Sequence, residues 1–312
     1  MIQLDDTILI TGGSGLAGIN LKDYLESQGF HKILAPSSTE CDLTDRGVVL
    51  DFFQRNQPDY VFHMAGFVRG IMGNMRNQGD AYLKNTLINT HVVDACHQTG
   101  VKKIVAMGTA AMYPDPKAGV PLAEDDVWKG PPHPSEYGYA QSKRGMLAQL
   151  QVYESSYGMP YAFAFCTNLY GPHDRFNTET GHVIPSLVKK FHDARQANGS
   201  VTVWGDGSAH RDFLYIKDCS RALHVIMDHI NGPVNLATGT ARKIRDVVEI
   251  LAEHAGMKDH VVWDTSKPSG YLLRAYDVSR LQGAGFRCQY TLEQALRETY
   301  DWYASHSSSV RH

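Results

Sequence analysis

Residues 7–18 read TILITGGSGLAG: an apolar run closing on Thr11, then glycines at 12, 13, 15 and 18 that open an amphipathic stretch from Leu16 to Gln28. A strand that feeds a helix through such a turn gathers backbone N–H groups and a helix N-terminus at one point, where a pyrophosphate is stabilised. Gly12 permits the tight turn, Gly15 lets the backbone approach the anion, and Gly18 packs the helix against the strand. The spacing is GxxGxxG rather than GxGxxG, so a plain strand-to-helix connection is the competing reading.

The chain downstream favours the dinucleotide reading. Thr7–Ile10, Lys32–Ala35, Tyr60–Ala65, Lys103–Met107 and Tyr161–Phe165 read as strands, separated by helical patterns at Leu16–Gln28, Asp45–Asn56, Ala81–Gln98 and Tyr139–Tyr157. Strict alternation predicts an α/β fold, a Rossmann-type doubly wound parallel sheet with right-handed crossovers. After about residue 170 the pattern loosens. Helices are expected near Ile184–Ala197, Ile244–His254 and Leu292–Ser305, with strands at Val201–Trp204, Val234–Ala237 and His260–Trp263. These features predict a cofactor domain over 1–170 and a smaller C-terminal α/β substrate lobe over 171–305, some of which returns to the sheet. The polar end, 306–312, is expected to fray.

Composition bounds the function. The chain has 312 residues, 43% hydrophobic and 20% charged, with 30 basic against 33 acidic side chains for a net charge of -3. Near-neutral charge without basic blocks argues against nucleic acid or an anionic membrane as main partner. The five cysteines are odd in number, widely spaced and free of CxxC pairs, so neither a disulfide framework nor a zinc site is expected. Fifteen histidines include no HExxH or similar ligand spacing, and no metal is expected. The opening MIQLDDTILI lacks a basic n-region, and no window approaches a membrane span, so a soluble cytoplasmic protein is expected.

Three features carry chemistry. The second strand ends in APSST, 35–39, where a free ribose 2'-hydroxyl would call for Asp or Glu; Ser37 and Ser38 instead tolerate and donate to a 2'-phosphate, favouring NADP over NAD. The same serines also suit an ordinary turn, and no arginine confirms the phosphate. In YGYAQSK, Tyr139 and Lys143 stand four apart on one helix face, where the ammonium is expected to lower a phenol pKa normally near 10. With 16 tyrosines in the chain, YxxxK alone is weak. Its order strengthens it, because MGTAAMYP puts Thr109 at the C-terminal edge of the sheet thirty residues earlier, where its hydroxyl can reach the same carbonyl oxygen.

TGxxGxxG, then Thr, then YxxxK resembles the extended short-chain dehydrogenase/reductase family. Four longer stretches, CTNLYGPHDRFN (166–177), GHVIPSLVKKFHDA (181–194), VWGDGSAHRDFLY (203–215) and TSKPSG (265–270), resemble its GDP-L-fucose synthase branch, the GDP-4-keto-6-deoxymannose epimerase-reductases. The similarity runs from residue 7 to about residue 303. The resemblance implies NADP(H) as cofactor, held by Gly12, Gly15, Leu16, Gly18, Ser37, Ser38, Asp42, Leu43, Ala65, Gly66, Tyr139, Lys143, Asn168 and Leu169. It makes Thr109, Tyr139 and Lys143 the reductase triad and His182 the acid of epimerisation. It assigns the GDP-linked deoxy sugar to Arg69, Asn168, Arg175, Lys190, Trp204, Arg211, Lys267 and Arg274. Arginine and lysine suit a diphosphate and tryptophan stacks on a base, although Trp204 alone reads equally as a core aromatic and His182 as a structural hydrogen-bonder. It also implies a homodimer through the helices at 81–98 and 139–157.

Departures from the branch narrow the activity. Where it carries a serine-serine-cysteine run, this chain has Thr109, Ala110 and Ala111, so the thiol base of epimerisation is missing. Cys166 replaces a usual proline, and Arg69 and Arg175 replace a usual glycine and asparagine. The Asp-Glu pair of dehydratases after the Thr is absent too. The reading is therefore NADPH-dependent reduction of the C4 ketone of a GDP-4-keto-6-deoxy sugar. The rivals are the bifunctional synthase, a redox-neutral 4-epimerase or dehydratase, and a non-catalytic NADP-binding protein of the same fold.

Overall fold

A computed structural model of the chain describes residues 1–68, 75, 77–115, 121–178, 181–266 and 274–310. In chain order its strands are β1 (Ile8–Thr11), β2 (Ile33–Leu34), β3 (Tyr60–His63), β4 (Lys103–Met107), β5 (Tyr161–Cys166), β6 (Asn168–Tyr170), β7 (Val201–Trp204), β8 (His210–Tyr215), β9 (Gly232–Leu236), β10 (Ala241–Lys243) and β11 (Val261–Asp264). The helices are α1 (Leu16–Ser27), α2 (Arg46–Asn56), α3 (Gln78–Gln98), α4 (Tyr137–Tyr157), α5 (Val183–Gln196), α6 (Ile216–His229), α7 (Ile244–Ala255), α8 (Ser279–Gly283) and α9 (Leu292–His306).

Six parallel strands form the main sheet in the order β2-β1-β3-β4-β5-β9. ILIT, KIVAM and YAFAFC are buried along their whole length, as a sheet covered on both faces demands. Ile8 and Ile10 point into a core with Leu21 and Leu25 of α1 and Leu223 and Ile226 of α6, while Leu9 points into a second core with Val92 of α3 and Leu147 of α4. Each such side chain contributes about 1.5–3 kcal/mol by leaving water. The chain moves from β1 to β2 on one side and to β3 on the other. The crevice at this reversal opens over the carboxyl ends of β1 and β3, the place where open α/β sheets bind ligands.

Beyond β5 the chain is more regular than its sequence suggests. β6 pairs parallel with β8 and β10 antiparallel with β8, β7 and β11 form a separate parallel pair, and β9 returns to the main sheet. The helix α6 goes unread in the sequence analysis, although Ile216, Cys219, Leu223, Ile226 and Met227 repeat on one face and are buried. It leaves β8 directly, with Tyr215 as its N-cap and no capping side chain, so the usual start signal is missing. Its buried face is what packs against α1. No helix among the described residues is long and apolar enough to cross a membrane.

Candidate active site

Gly12 holds φ +70, and a Cβ there would come within 2.8 Å of the Ala65 backbone N and Cα; at Gly18 it would sit 2.3 Å from the Gly12 carbonyl oxygen. The first βα turn is thus pressed against the end of β3 more closely than any side chain allows. Helix α1 begins after Gly15 with no capping side chain and no acidic residue in its first turn, so its N-terminal amides suit an anion. Leu16 is its first residue. A Cβ at Gly66 would make ordinary contact with Asn85 Oδ1 at 3.4 Å and Lys143 Nζ at 3.7 Å, which places Gly66 beside the Lys143 amine. These residues fit a dinucleotide.

The loop after β2 differs from its sequence reading in one respect. No carboxylate stands in 35–39, but Glu40 folds back, and its Oε2 accepts hydrogen bonds from Ser37 N and Ser37 Oγ, both at 2.8 Å. These bonds hold its carboxyl below the ordinary range. Ser37 is thereby turned toward Glu40 and Thr39, and exposed Ser38 is the hydroxyl left pointing outward. Asp42 braces the next turn by accepting from Thr44 N and Oγ1, and the Leu43 carbonyl faces His91 Nδ1 at 3.1 Å.

Tyr139 and Lys143 lie on the buried face of α4, 9% and 2% exposed. Lys143 Nζ donates to the Ala65 carbonyl at 3.4 Å, beside the Gly-rich turn. Thr109 ends the loop after β4, its Oγ1 accepting from Ala111 N at 3.2 Å and capping a short 3-10 turn. The turn is fastened to α4 by Arg144, whose guanidinium donates to Met112 O at 2.5 and 2.9 Å and to Gly130 O at 2.8 Å. Sequence reading passed over Arg144 because a basic residue following Lys143 looks like solvated charge; its burial is set by contacts remote in sequence.

The electrostatics correct one expectation. Lys143 does not lower the Tyr139 pKa here: burial, then Glu136 and Cys166, push the phenol well above its usual value. Burial also brings the Lys143 amine down to about 7. Desolvation opposes charge on both groups. Burial thus favours the protonated phenol.

Beyond β5, Asn168 Nδ2 donates to the Asp212 carbonyl at 2.9 Å, which sets the start of β6, with Leu169 half-buried next to it. The fully buried Asp212 carboxylate accepts from Thr238 N and Gly239 N at 3.0 and 2.8 Å, and burial raises its pKa to about 6. Cys166 is buried and directs its Sγ to Thr167 O at 3.4 Å; its neighbour Cys219 first, then burial, hold the thiol far from ionising. Ala111 is buried as well. His182 lies at the N-cap of α5, accessible yet crowded, and desolvation followed by the Arg175 charge lowers its pKa. Arg175 is exposed. Beside it, burial lifts Asp174 to about 7, and Asp174 Oδ2 is a buried oxygen with no hydrogen-bond partner among the described residues.

Trp204 is 64% exposed, which removes the core-aromatic reading, and Lys190 Nζ stands 5.9 Å from its ring centroid while donating to Thr202 O. Arg211 and Arg274 both act on the buried Tyr276 hydroxyl, and Arg274 Nη1 reaches the Ala110 carbonyl at 3.4 Å. One member of the expected diphosphate grip therefore rests on the Thr109 turn. Arg69 and Lys267 lie outside the described residues.

The sequence profile of the family described as NAD dependent epimerase/dehydratase matches residues 8–237. The chain belongs to that family. It is an oxidoreductase-type enzyme built around a nicotinamide dinucleotide. A relative from Oryza sativa subsp. japonica named "Probable GDP-L-fucose synthase 1" is 35% identical over 308 residues, 97% of this chain and 94% of its own. A crystal structure of a GDP-L-fucose synthetase from Naegleria fowleri bound to NADP superposes with a TM-score of 0.92 at 30% identity, covering 100% of this chain and 96% of that one. A GDP-mannoheptose C4 reductase from Campylobacter jejuni with NADP bound superposes with a TM-score of 0.87 at 26% identity, covering 97% and 99%.

Proposed function

We propose that this chain is a cytoplasmic, homodimeric NADPH-dependent reductase acting on the C4 ketone of a GDP-4-keto-6-deoxy sugar. The observation that carries the reading is the assembly at the C-terminal edge of the sheet. Lys143 sits against Ala65 beside the Gly-rich turn, and the Thr109 turn is clamped by Arg144 to the helix that bears Tyr139. The cofactor, when bound, supplies the hydride. Tyr139, kept protonated by burial, gives its proton to the oxygen of the ketone as that oxygen gains charge. Lys143, whose amine titrates near neutrality, stabilises the phenolate that remains. Thr109 Oγ1 accepts from Ala111 N, so its own hydrogen is free to point at the same carbonyl oxygen. The exposed face of Trp204 suits a purine base, and Lys190, Arg211 and Arg274 suit the diphosphate. The names of the relatives favour GDP as the nucleotide and NADP as the cofactor.

Reduction without epimerisation fits the site best. Moving protons at C3 and C5 needs a base on one face of the ring and an acid on the other. Ala111 can be neither, the Cys166 thiol is held protonated, and His182 alone serves one face. The bifunctional synthase is the second reading, favoured by the accessible His182 and by the rice relative's name. For the dimer, α3 and α4 pack on each other and leave Tyr82, Leu83, Val152 and Tyr157 exposed. Incubation with GDP-4-keto-6-deoxymannose and NADPH in deuterated water, followed by NMR of the product, tests the function. A C4-reduced sugar without deuterium at C3 or C5 beyond an enzyme-free control supports the proposal. Enzyme-dependent deuterium at either carbon replaces it with the bifunctional reading, and absence of cofactor oxidation with every nucleotide sugar, while NADPH still binds, favours a non-catalytic cofactor-binding protein.

A further inference from the structure

A line of buried polar groups crosses the molecule from the Gly-rich turn to the helix that carries Tyr139 and Lys143. Ala65 N donates to Thr11 Oγ1 at 3.4 Å, Thr11 Oγ1 lies 2.7 Å from His63 Nδ1, and His63 Nε2 lies 3.1 Å from Asn89 Oδ1. Asn89 Nδ2 then donates to Ser142 O at 3.4 Å, and Ser142 Oγ to Tyr139 O at 2.7 Å. Ala65 is also the residue whose carbonyl receives Lys143 Nζ. Thr11, His63, Asn89 and Ser142 are all buried, on β1, β3, α3 and α4. Between them they tie four elements to one point.

The direction of every hydrogen follows from the two ends. The Ser142 carbonyl only accepts, so the Asn89 amide nitrogen faces it and Asn89 Oδ1 faces His63. His63 Nε2 must then carry a ring hydrogen, and in a neutral ring Nδ1 accepts from the Thr11 hydroxyl. That hydroxyl has its lone pairs left for the Ala65 amide. Every donor in the row points toward α4, an arrangement in which successive bonds polarise one another. Burial and the Lys143 charge push the His63 pKa down to about 3, consistent with a neutral ring in a single tautomer.

We propose that Thr11, His63 and Asn89 are positioning residues: they fix the height of Tyr139 and Lys143 over the Gly-rich turn, and hence over a dinucleotide bound there. His63 works as a neutral, one-way connector and takes no proton during the reaction. This rests on Tyr139 and Lys143 being the reductase pair. A displacement of about 1 Å at a reacting centre can cost on the order of a hundredfold in rate, so a short row of hydrogen bonds between the two halves of the site has a large effect on turnover without touching substrate.

Two measurements test it. Nitrogen-15 NMR of the ligand-free protein labelled at histidine should give His63 as one neutral tautomer, hydrogen on Nε2, unchanged between about pH 5 and 9, a range in which an unperturbed histidine titrates. Thr11→Val, which removes the hydroxyl at constant volume, should lower kcat with GDP-4-keto-6-deoxymannose about ten- to a hundredfold while leaving NADPH affinity unchanged, and Thr11→Ser should restore it. Hydrogen on Nδ1, or a His63 that protonates in that pH range, overturns the proposal. So does a folded Thr11→Val with wild-type kcat, or a Thr11→Ser as slow as Thr11→Val. Should Tyr139→Phe turn over normally, the reductase reading fails instead, and the NMR result still decides the orientation of the row.

Discussion

Replacing Lys143 by Met should make the ligand-free protein more stable near neutral pH while abolishing ketone reduction. Lys143 is 2% exposed, its one hydrogen bond among the described residues is a long one to Ala65 O, and burial brings its amine from 10.5 to about 7. A fall of that size corresponds to an unfavourable term on the order of 4–5 kcal/mol in the charged state, with each tenfold change in proton affinity worth about 1.4 kcal/mol. The sign follows from proton counts. Between about 7 and 10.5 the unfolded chain binds the proton and the folded one does not, so folding stability rises with pH across that window and the cost is complete below it. Methionine has nearly the same length and carries no charge to desolvate. Urea unfolding of both proteins from pH 7 to 10 isolates this one group, because every other titration cancels in the difference. The advantage of Lys143→Met should be largest at pH 7 and should shrink steadily as pH rises. A difference that stays constant with pH, or a variant less stable at pH 7, would refute the argument that burial governs this amine.

Tyr139→Phe keeps the ring in its packed position and removes the acid, so kcat should fall by about 10² to 10⁴ with NADPH affinity retained, measured by cofactor oxidation and fluorescence titration. Asp174→Asn should raise Tm above pH 7 and have little effect near pH 4. The folded-state pKa of about 7 lies above its ordinary 3.8, so the stability this carboxyl contributes is complete at low pH and lost as pH rises through 7; a Tm gain independent of pH would show that its ionisation is not the cause. Light scattering at micromolar concentration should give twice the mass of one chain, and substituting exposed Leu83 and Val152 by Lys should give the mass of one.

Much of the fold was legible because it rests on local patterns. The apolar runs that became β1, β4 and β5, the glycines that let α1 begin against β3, and the four-residue spacing of Tyr139 and Lys143 can be read from neighbours in sequence. What escaped was made by distant pairs. α6 has helical periodicity but no capping residue to announce it, and its burial depends on α1, about two hundred residues earlier. Arg144 ties the Thr109 turn to α4 only because Met112 and Gly130 present carbonyls to it. The Thr11, His63 and Asn89 row spans three elements, and a histidine at the end of an apolar strand gives no sign of its partners. The lowered Tyr139 pKa expected from YxxxK failed for a related reason: spacing reports proximity, whereas the balance between a charge and desolvation depends on how deeply the fold buries both.

Hydride transfer to C4 of the sugar is tested most directly with NADPH that carries deuterium at both hydrogen positions of nicotinamide C4. With GDP-4-keto-6-deoxymannose and this enzyme, mass spectrometry and NMR should find one deuterium per product, located at C4 of the sugar. Product that carries no deuterium, or deuterium that returns to the cofactor after a redox-neutral cycle, would contradict the assignment of the chain as a C4 reductase.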